Sequence, residues 1–100
     1  MVQAVEKVLD FTEGMDFQQF IVDSRTRDAV YHNLIVLGEA ASRMPEYYVL
    51  EHDAIPWRKM VATRNALVHG YDVIDDGIVW KIIRETFPKL IEELKPLLVD

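Results

Sequence analysis

The chain has 100 residues, half of them apolar, and a net charge of −6, which predicts one domain over residues 1–100 with enough apolar side chains for a core. It has no cysteine, which excludes disulfides, thiolate metal sites and thiol nucleophiles, and no apolar run approaches the ~18–20 residues that span a bilayer. The acidic balance argues against a general nucleic-acid binder, and because the chain lacks a signal-peptide layout we expect a cytoplasmic protein.

The first half of the chain has apolar residues at helical spacing. This spacing predicts a helix from about residue 2 to 12 that Gly14 ends, followed by a short turn that Asp16 caps. A long helix then begins with Ser24 as its N-cap and runs to Pro45. Three small residues on it would let another helix approach closely: Gly38, Ala40 and Ala41.

The second half continues the helical pattern. Pro56 is well placed at the first position of a further long helix, and Gly70 is its C-terminal glycine. Asp75 or Asp76 caps the last helix, which Pro88 should kink or split. We therefore predict an all-α fold, an antiparallel bundle of four to five helices that pairs with a second copy to complete its core.

The candidate site lies on the helix that follows Pro56. Arg64 is a permanent cation that can hold a phosphate in a bidentate fork, and His69 can take and give a proton near neutral pH. Asn65 adds a neutral donor beside the arginine, and Tyr71 adds a hydroxyl near the histidine. These groups are sufficient to cleave a phosphodiester without a metal ion or cofactor.

The charge around this site differs from the charge of the whole chain. Residues 57–71 hold Arg58, Lys59 and Arg64 and no acid. A local positive site on an acidic body is compatible with one RNA substrate and unsuited to bulk nucleic acid.

The spacing of the two principal residues limits how they act together. On a continuous α-helix Arg64 and His69 are separated by ~140° around the axis, whereas Asn65 and His69 share a face. Arg64 and His69 therefore act on one substrate only if the helix ends near Val68 or if they come from different subunits of a dimer.

Each site residue also has a purely structural interpretation. His69 could cap the last carbonyls of its helix, and Tyr71 could pack over the end of the bundle. Arg64 could form an ion pair with one of three nearby acids: Asp72, Asp75 or Asp76. Trp57 and Trp80 are expected in the core or an interface, and His52 with Asp53 is not expected to bind a metal because no second pair of ligands accompanies them.

The segment from Arg64 to Tyr71 resembles the Arg-X4-His-X-Tyr signature of the HepT-like branch of the HEPN (higher eukaryotes and prokaryotes nucleotide-binding) superfamily. Further blocks resemble the family's pattern in the same order over nearly the whole chain: Asp28-Ala29-Val30, Asn33-Leu34, Leu37-Gly38-Glu39-Ala40-Ala41, Arg43-Met44-Pro45, Ile55-Pro56-Trp57-Arg58, Met60 and Ile78-Val79-Trp80. The chain departs from that pattern in a shorter first helix and in Asp72, where many relatives have an aromatic residue.

The resemblance implies a homodimeric α-bundle that acts as a metal-independent endoribonuclease toxin in a type VII-like toxin–antitoxin system. Arg64 and His69 would be catalytic, with Asn65 in support. The partner would be a minimal nucleotidyltransferase that neutralises the toxin by transferring AMP to Tyr71.

Two other classes of function remain open from the sequence. The chain could be a catalytically silent subunit that presents nucleotide or substrate to a minimal nucleotidyltransferase. It could also be a structural dimerisation bundle, which predicts that Arg64 is locked in a salt bridge within one subunit.

Overall fold

The computed structural model describes residues 1–70 and 74–97, and every regular element in those two ranges is helical. The elements of the first half are α1 (Val2–Phe11), α2 (Phe17–Val22), α3 (Ser24–Ser42) and α4 (Glu46–Glu51). Those of the second half are α5 (Trp57–His69), α6 (Asp76–Lys81), a π-helical stretch (Ile82–Thr86), α7 (Phe87–Leu94) and a 3-10 turn (Lys95–Leu97). The predicted all-α fold is confirmed. None of these helices has the length and apolar character needed to cross a bilayer.

α1 presents one apolar stripe to the core because its valines recur every three residues. Val5 and Val8 are fully buried, and the helix packs against α3 and α7. Directly after the helix, the buried Thr12 donates its hydroxyl to the carbonyl oxygen of Val8 at 2.8 Å. Gly14 then turns the chain with a φ of 75°, in the left-handed region that glycine adopts at no steric cost. The predicted end of this helix at residue 12 is within one residue of the observed end.

The N-cap of α3 is Asp23, so the prediction of Ser24 is wrong by one residue. The Asp23 carboxylate accepts hydrogen bonds from the backbone N–H of Thr26 at 3.0 Å and from the Thr26 hydroxyl at 2.7 Å. Aspartate serves better than serine here because it accepts both bonds and because its negative charge interacts favourably with the helix N-terminus. At its other end the helix stops before Pro45, as predicted.

α3 and α5, the helix pair with the most extensive contact, meet closely at Gly38. A Cβ atom at residue 38 would overlap the Cβ of Arg64 and would lie 2.8 Å from the carbonyl oxygen of Met60. Only glycine therefore permits this separation of the two backbones. The predicted close approach at the small residues of α3 is confirmed, and the approaching helix is the one that carries the candidate site.

The last helical segment is interrupted, as Pro88 predicts. Asp75 is its N-cap and accepts from the backbone N–H of Gly77 at 2.8 Å. Pro88 occupies the first turn of α7, where its missing N–H costs little, and the π-helical stretch lies immediately before that turn. Proline removes an i→i−4 hydrogen bond and its ring displaces the preceding carbonyl, so a local change of hydrogen-bond register accommodates it.

One hydrophobic core joins the early and late helices. Its fully or almost fully buried side chains include Val5, Val8, Phe20, Val30, Leu37, Ile83, Phe87, Leu90 and Leu94. Trp57 is buried as expected, and its Nε1–H donates to the carbonyl oxygen of His52 at 2.9 Å. Trp80 is half-buried, with its ring centroid 5.1 Å from that of Phe20.

The cap at Asp23 predicts a dependence of stability on pH. The backbone N–H and the hydroxyl of Thr26 hold the pKa of the Asp23 carboxyl below its usual value of 3.8. A carboxyl whose pKa is lowered on folding stabilises the folded state above its unfolded pKa, and this contribution is lost as pH falls through the folded pKa. Asp23→Asn keeps an acceptor oxygen but cannot titrate.

The contribution of the Asp23 carboxylate is measured by thermal unfolding of the wild type and Asp23→Asn. Unfolding is monitored by circular dichroism at a series of pH values from neutral to below 3.8. We expect the melting temperature of the wild type to fall relative to that of Asp23→Asn at the acidic end. A difference between the two proteins that stays constant with pH would contradict the assignment.

The close contact at Gly38 predicts that Gly38→Ala destabilises the protein although alanine favours helix. We expect overpacking to cost about 2–3 kcal/mol, because the added Cβ meets the Cβ of Arg64 and a backbone oxygen, and helix propensity to return about 1 kcal/mol, which leaves a net loss of about 1–2 kcal/mol in the free energy of unfolding. Urea denaturation measures it, with His32→Ala on the exposed face of α3 as the control. An unchanged or raised stability would show that the two helices are free to move apart.

Candidate active site

The candidate site is built on α5, the cationic helix of an acidic protein. Trp57, Met60 and Leu67 are its buried residues, and it packs against α3 along that side. The opposite side of the helix is exposed and includes Arg58, Ala62, Asn65, Ala66 and His69. The helix therefore offers charged and polar groups to solvent while its apolar side fixes its position.

Arg64 lies on the side of α5 that faces α3, between Trp57 and Met60 around the helix axis. Its side chain is 21% exposed, and its Nη1 donates to Oε1 of Glu39 at 2.6 Å. Its Nε is buried and has no hydrogen-bond acceptor within the described ranges. The other carboxylate oxygen of Glu39 lies 3.9 Å from Nη2 of Arg43, whose side chain is 80% exposed. Glu39 is thus the residue that fixes the guanidinium of Arg64.

Glu39 is not one of the three acids that the sequence suggests as partners of Arg64, which are Asp72, Asp75 and Asp76. Asp75 caps α6, and Asp76 pairs with Arg27 at 3.4 Å, while Asp72 lies outside the described residues. The prediction of Asp75 or Asp76 is wrong because Arg64 faces α3 rather than the start of α6. The interpretation of the chain as a structural bundle also predicts, more generally, that Arg64 forms a salt bridge within one subunit. This salt bridge is observed, with Glu39 as the partner.

Asn65 and His69 share the exposed face of α5, as their spacing predicts. His69 is the last residue of the helix, and its imidazole makes no hydrogen bond to any residue of the described ranges. The backbone N–H of Gly70 donates to the carbonyl oxygen of Ala66 at 2.9 Å and so closes the helix. Gly70 has a φ of −141°, so this position does not use the left-handed conformation typical of C-terminal glycines.

The relation between Arg64 and His69 follows from the length of α5. The helix ends at His69, one residue after Val68 and so close to the predicted end, and His69 itself still belongs to the helix. The two side chains are therefore ~140° apart around the axis and ~7.5 Å apart along it. Within one copy of the chain, the two side chains leave the helix in different directions.

Two further predictions concern Tyr71 and metal ions. Tyr71 lies outside the described residues. Within residues 1–70 and 74–97 no group of three or more histidine or acidic side chains is placed to hold a metal ion. His52 is half-buried and packs on Tyr48 with ring centroids 4.4 Å apart.

Glu39 is the one residue of the site to which the sequence reasoning assigns no role. Its signal is its position directly after Gly38, because a residue beside a close helix contact lies next to the partner helix. It is also the only acid in the last two-thirds of α3. The sequence does not reveal which face of α5 meets α3, so it does not identify Arg64 as the partner.

Comparisons with known proteins show the family to which the chain belongs. A family model described as Ribonuclease HepT-like matches residues 1–97. "Probable ribonuclease HepT" of Thermococcus cleftensis is 34% identical over 90 residues, which cover 90% of this chain and 82% of the relative. Two proteins of Methanocaldococcus jannaschii, "Putative RNase MJ0127" and "Putative RNase MJ1380", are 32% and 33% identical over 100 and 95 residues, covering 100% and 95% of this chain and 83% and 87% of their own lengths. No solved structure matches the chain.

The all-α bundle, with its arginine and histidine five residues apart on one helix, is a domain of the HEPN ribonuclease type. The chain belongs to the HepT-like ribonuclease family. The resemblance noted from the sequence is confirmed at the level of the family.

The ion pair at the site predicts a measurable coupling between Glu39 and Arg64. Because the Glu39 side chain is 41% exposed, solvent screens the pair, and we expect a double-mutant cycle with alanine to give roughly 0.5–1.5 kcal/mol in the free energy of unfolding.

The Glu39 carboxylate also provides the control for this double-mutant cycle, because it has a second arginine neighbour. A cycle between Glu39 and the exposed Arg43 should give a coupling near zero, because their atoms are 3.9 Å apart and the arginine is almost fully solvated. Equal coupling in the two cycles would mean that Arg64 is not held more firmly than a surface residue.

Proposed function

We propose that this single domain is a metal-independent endoribonuclease toxin that works in the cytoplasm as a homodimer. The observation that carries the proposal is the pair of groups on α5: a half-buried Arg64 fixed by Glu39, and an exposed His69 five residues further along. Membership of the HepT-like ribonuclease family, and relatives named as ribonucleases, support RNA as the substrate.

The chemistry assigned to these residues is transesterification within the RNA strand. The 2′-hydroxyl attacks the phosphorus while the bond to the 5′-oxygen of the next nucleotide breaks, which gives a 2′,3′-cyclic phosphate and a 5′-hydroxyl. Arg64 binds the non-bridging oxygens and stabilises their charge in the transition state. One imidazole takes the proton of the 2′-hydroxyl, another gives a proton to the leaving oxygen, and Asn65 orients the phosphate.

A dimer could bring to one phosphate the arginine and the histidine that a single copy of the chain directs apart. Because Arg64 and His69 of one copy point in different directions, the two-fold arrangement that we propose sets the edge of the α3–α5 contact that carries Arg64 against the partner subunit's His69. The same arrangement would place both imidazoles in one cleft, where one serves as base and the other as acid. The exposed alanines at residues 62 and 66 leave room for that approach.

An RNA cleavage assay tests the two catalytic assignments. We expect His69→Ala to lower the rate of cleavage by roughly 10²–10⁴-fold and Arg64→Ala by a similar factor. Arg64→Lys should remain far below the wild type because an ammonium lacks the bidentate fork. His32→Ala, which removes an exposed histidine on α3, should leave cleavage unchanged. Full activity in both alanine variants would refute the proposal.

We further propose that a minimal nucleotidyltransferase neutralises the toxin by transferring AMP from ATP to the hydroxyl oxygen of Tyr71, with pyrophosphate as the leaving group, as in a type VII-like toxin–antitoxin system. An AMP group two residues from His69 would add bulk and negative charge where RNA must bind. Intact-mass measurement after co-expression with such a transferase tests it. A gain of one or more AMP units that Tyr71→Phe lacks supports the proposal, and an unmodified mass in a stable complex contradicts it.

The Arg64–Glu39 ion pair also favours a second candidate, a bundle without chemistry, because a structural arginine would make the same contact. A silent subunit that presents nucleotide or substrate to the transferase is the related binding role. Both predict that purified wild-type protein leaves RNA intact, and the structural bundle predicts that Arg64→Ala changes stability alone.

A further inference from the structure

Arg58 occupies a position that helix electrostatics disfavours. It is the second residue of α5, and the first turn of this helix contains no acid. The N-terminus of a helix carries a partial positive charge, so a cation there is less favourable than a neutral or acidic residue. Nothing in the packing offsets this, because Arg58 is exposed and forms no ion pair within the described part of the chain.

The helix aligns Arg58 with two residues of the candidate site. Asn65 follows it by seven residues and His69 by eleven, which places both within ~20° of Arg58 around the axis. Along the axis they lie ~10.5 Å and ~16.5 Å from it. All three side chains are exposed, so they form one continuous line of polar groups on the outer face of α5.

Arg58 and Asn65 also border the same open groove. This groove lies between the end of α3, α4 and α5, and its lining also includes Ser42, Val49 and Ala62. A strand that reaches Asn65 along this groove passes Arg58.

We propose that Arg58 binds a backbone phosphate of the RNA strand, away from the phosphate that is cut. The inference rests on the proposed function and adds to it a second phosphate site on the same helix. At roughly 3.4 Å per nucleotide for a stacked strand, Arg58 contacts a phosphate about three to five nucleotides from the groups at Asn65 and His69. The enzyme thereby binds several nucleotides of a single strand, and its affinity for RNA does not come from the cleaved phosphate alone.

Lys59 is a matched control for this proposal. It is also exposed, carries the same charge and lies in the same first turn, so its removal changes the helix electrostatics equally. It is rotated by ~100° from Arg58 and borders a different groove, formed by α5 with the π-helical stretch. Arg58→Ala and Lys59→Ala should therefore affect folding equally, while their effects on RNA binding should differ.

The experiment compares Arg58→Ala and Lys59→Ala with an unstructured oligoribonucleotide at several salt concentrations. For Arg58→Ala we expect KM to rise about threefold or more with little change in kcat, and the slope of log affinity against log salt to fall by about 0.7 for the lost phosphate contact. Lys59→Ala should change both quantities much less than Arg58→Ala does. With a dinucleotide, which is too short to reach Arg58, the difference between the two variants should disappear.

The outcomes separate this inference from the proposed function. If the wild type cleaves RNA and Arg58→Ala behaves as Lys59→Ala does, the second phosphate site is refuted while the nuclease stands. If the wild type neither binds nor cleaves the oligoribonucleotide, the proposed function fails first. A loss in Arg58→Ala that persists with the dinucleotide would contradict a remote phosphate contact.

Discussion

The contact of α3 with α5 at Gly38 determines where each part of the candidate site lies. Because residue 38 has no side chain, the backbone of α5 comes close enough for Glu39 to reach the guanidinium of Arg64. The same contact fixes the rotation of α5, so its apolar residues face the core while Asn65 and His69 face solvent. A larger residue at this point would move the helix and separate the ion pair.

The pairing of Arg64 with Glu39 has two opposite consequences for phosphate binding. An arginine side chain loses considerable conformational entropy when it is fixed, and the carboxylate imposes that order before any substrate arrives. The carboxylate also neutralises part of the charge that a phosphate would meet. The exposed guanidinium of Arg58, on the same helix, supplies a further positive charge for RNA on a protein that is acidic as a whole.

Much of this arrangement follows from the sequence, and the remainder has identifiable physical causes. Apolar periodicity predicts the helices, and the five-residue spacing of Arg64 and His69 already shows that they diverge on one helix. The cap at Asp23 is missed because two acceptor positions compete at the start of α3 and sequence alone does not rank them. The Glu39–Arg64 pair joins residues 25 positions apart on different helices, and local patterns carry no information about which faces of two helices meet.

The most direct test of the account is whether Arg64 and His69 act across two subunits. Arg64→Ala and His69→Ala chains, co-expressed with different tags and purified as a mixed dimer, contain one intact copy of each group on opposite subunits. The matched control is a mixed dimer of the wild type with the Arg64→Ala/His69→Ala double variant, which also keeps one arginine and one imidazole but has both on one subunit. The account predicts that the first mixed dimer cleaves RNA faster than this control, although more slowly than the wild type because one of the two imidazoles is missing. Equal or slower cleavage than the control would contradict the composite site.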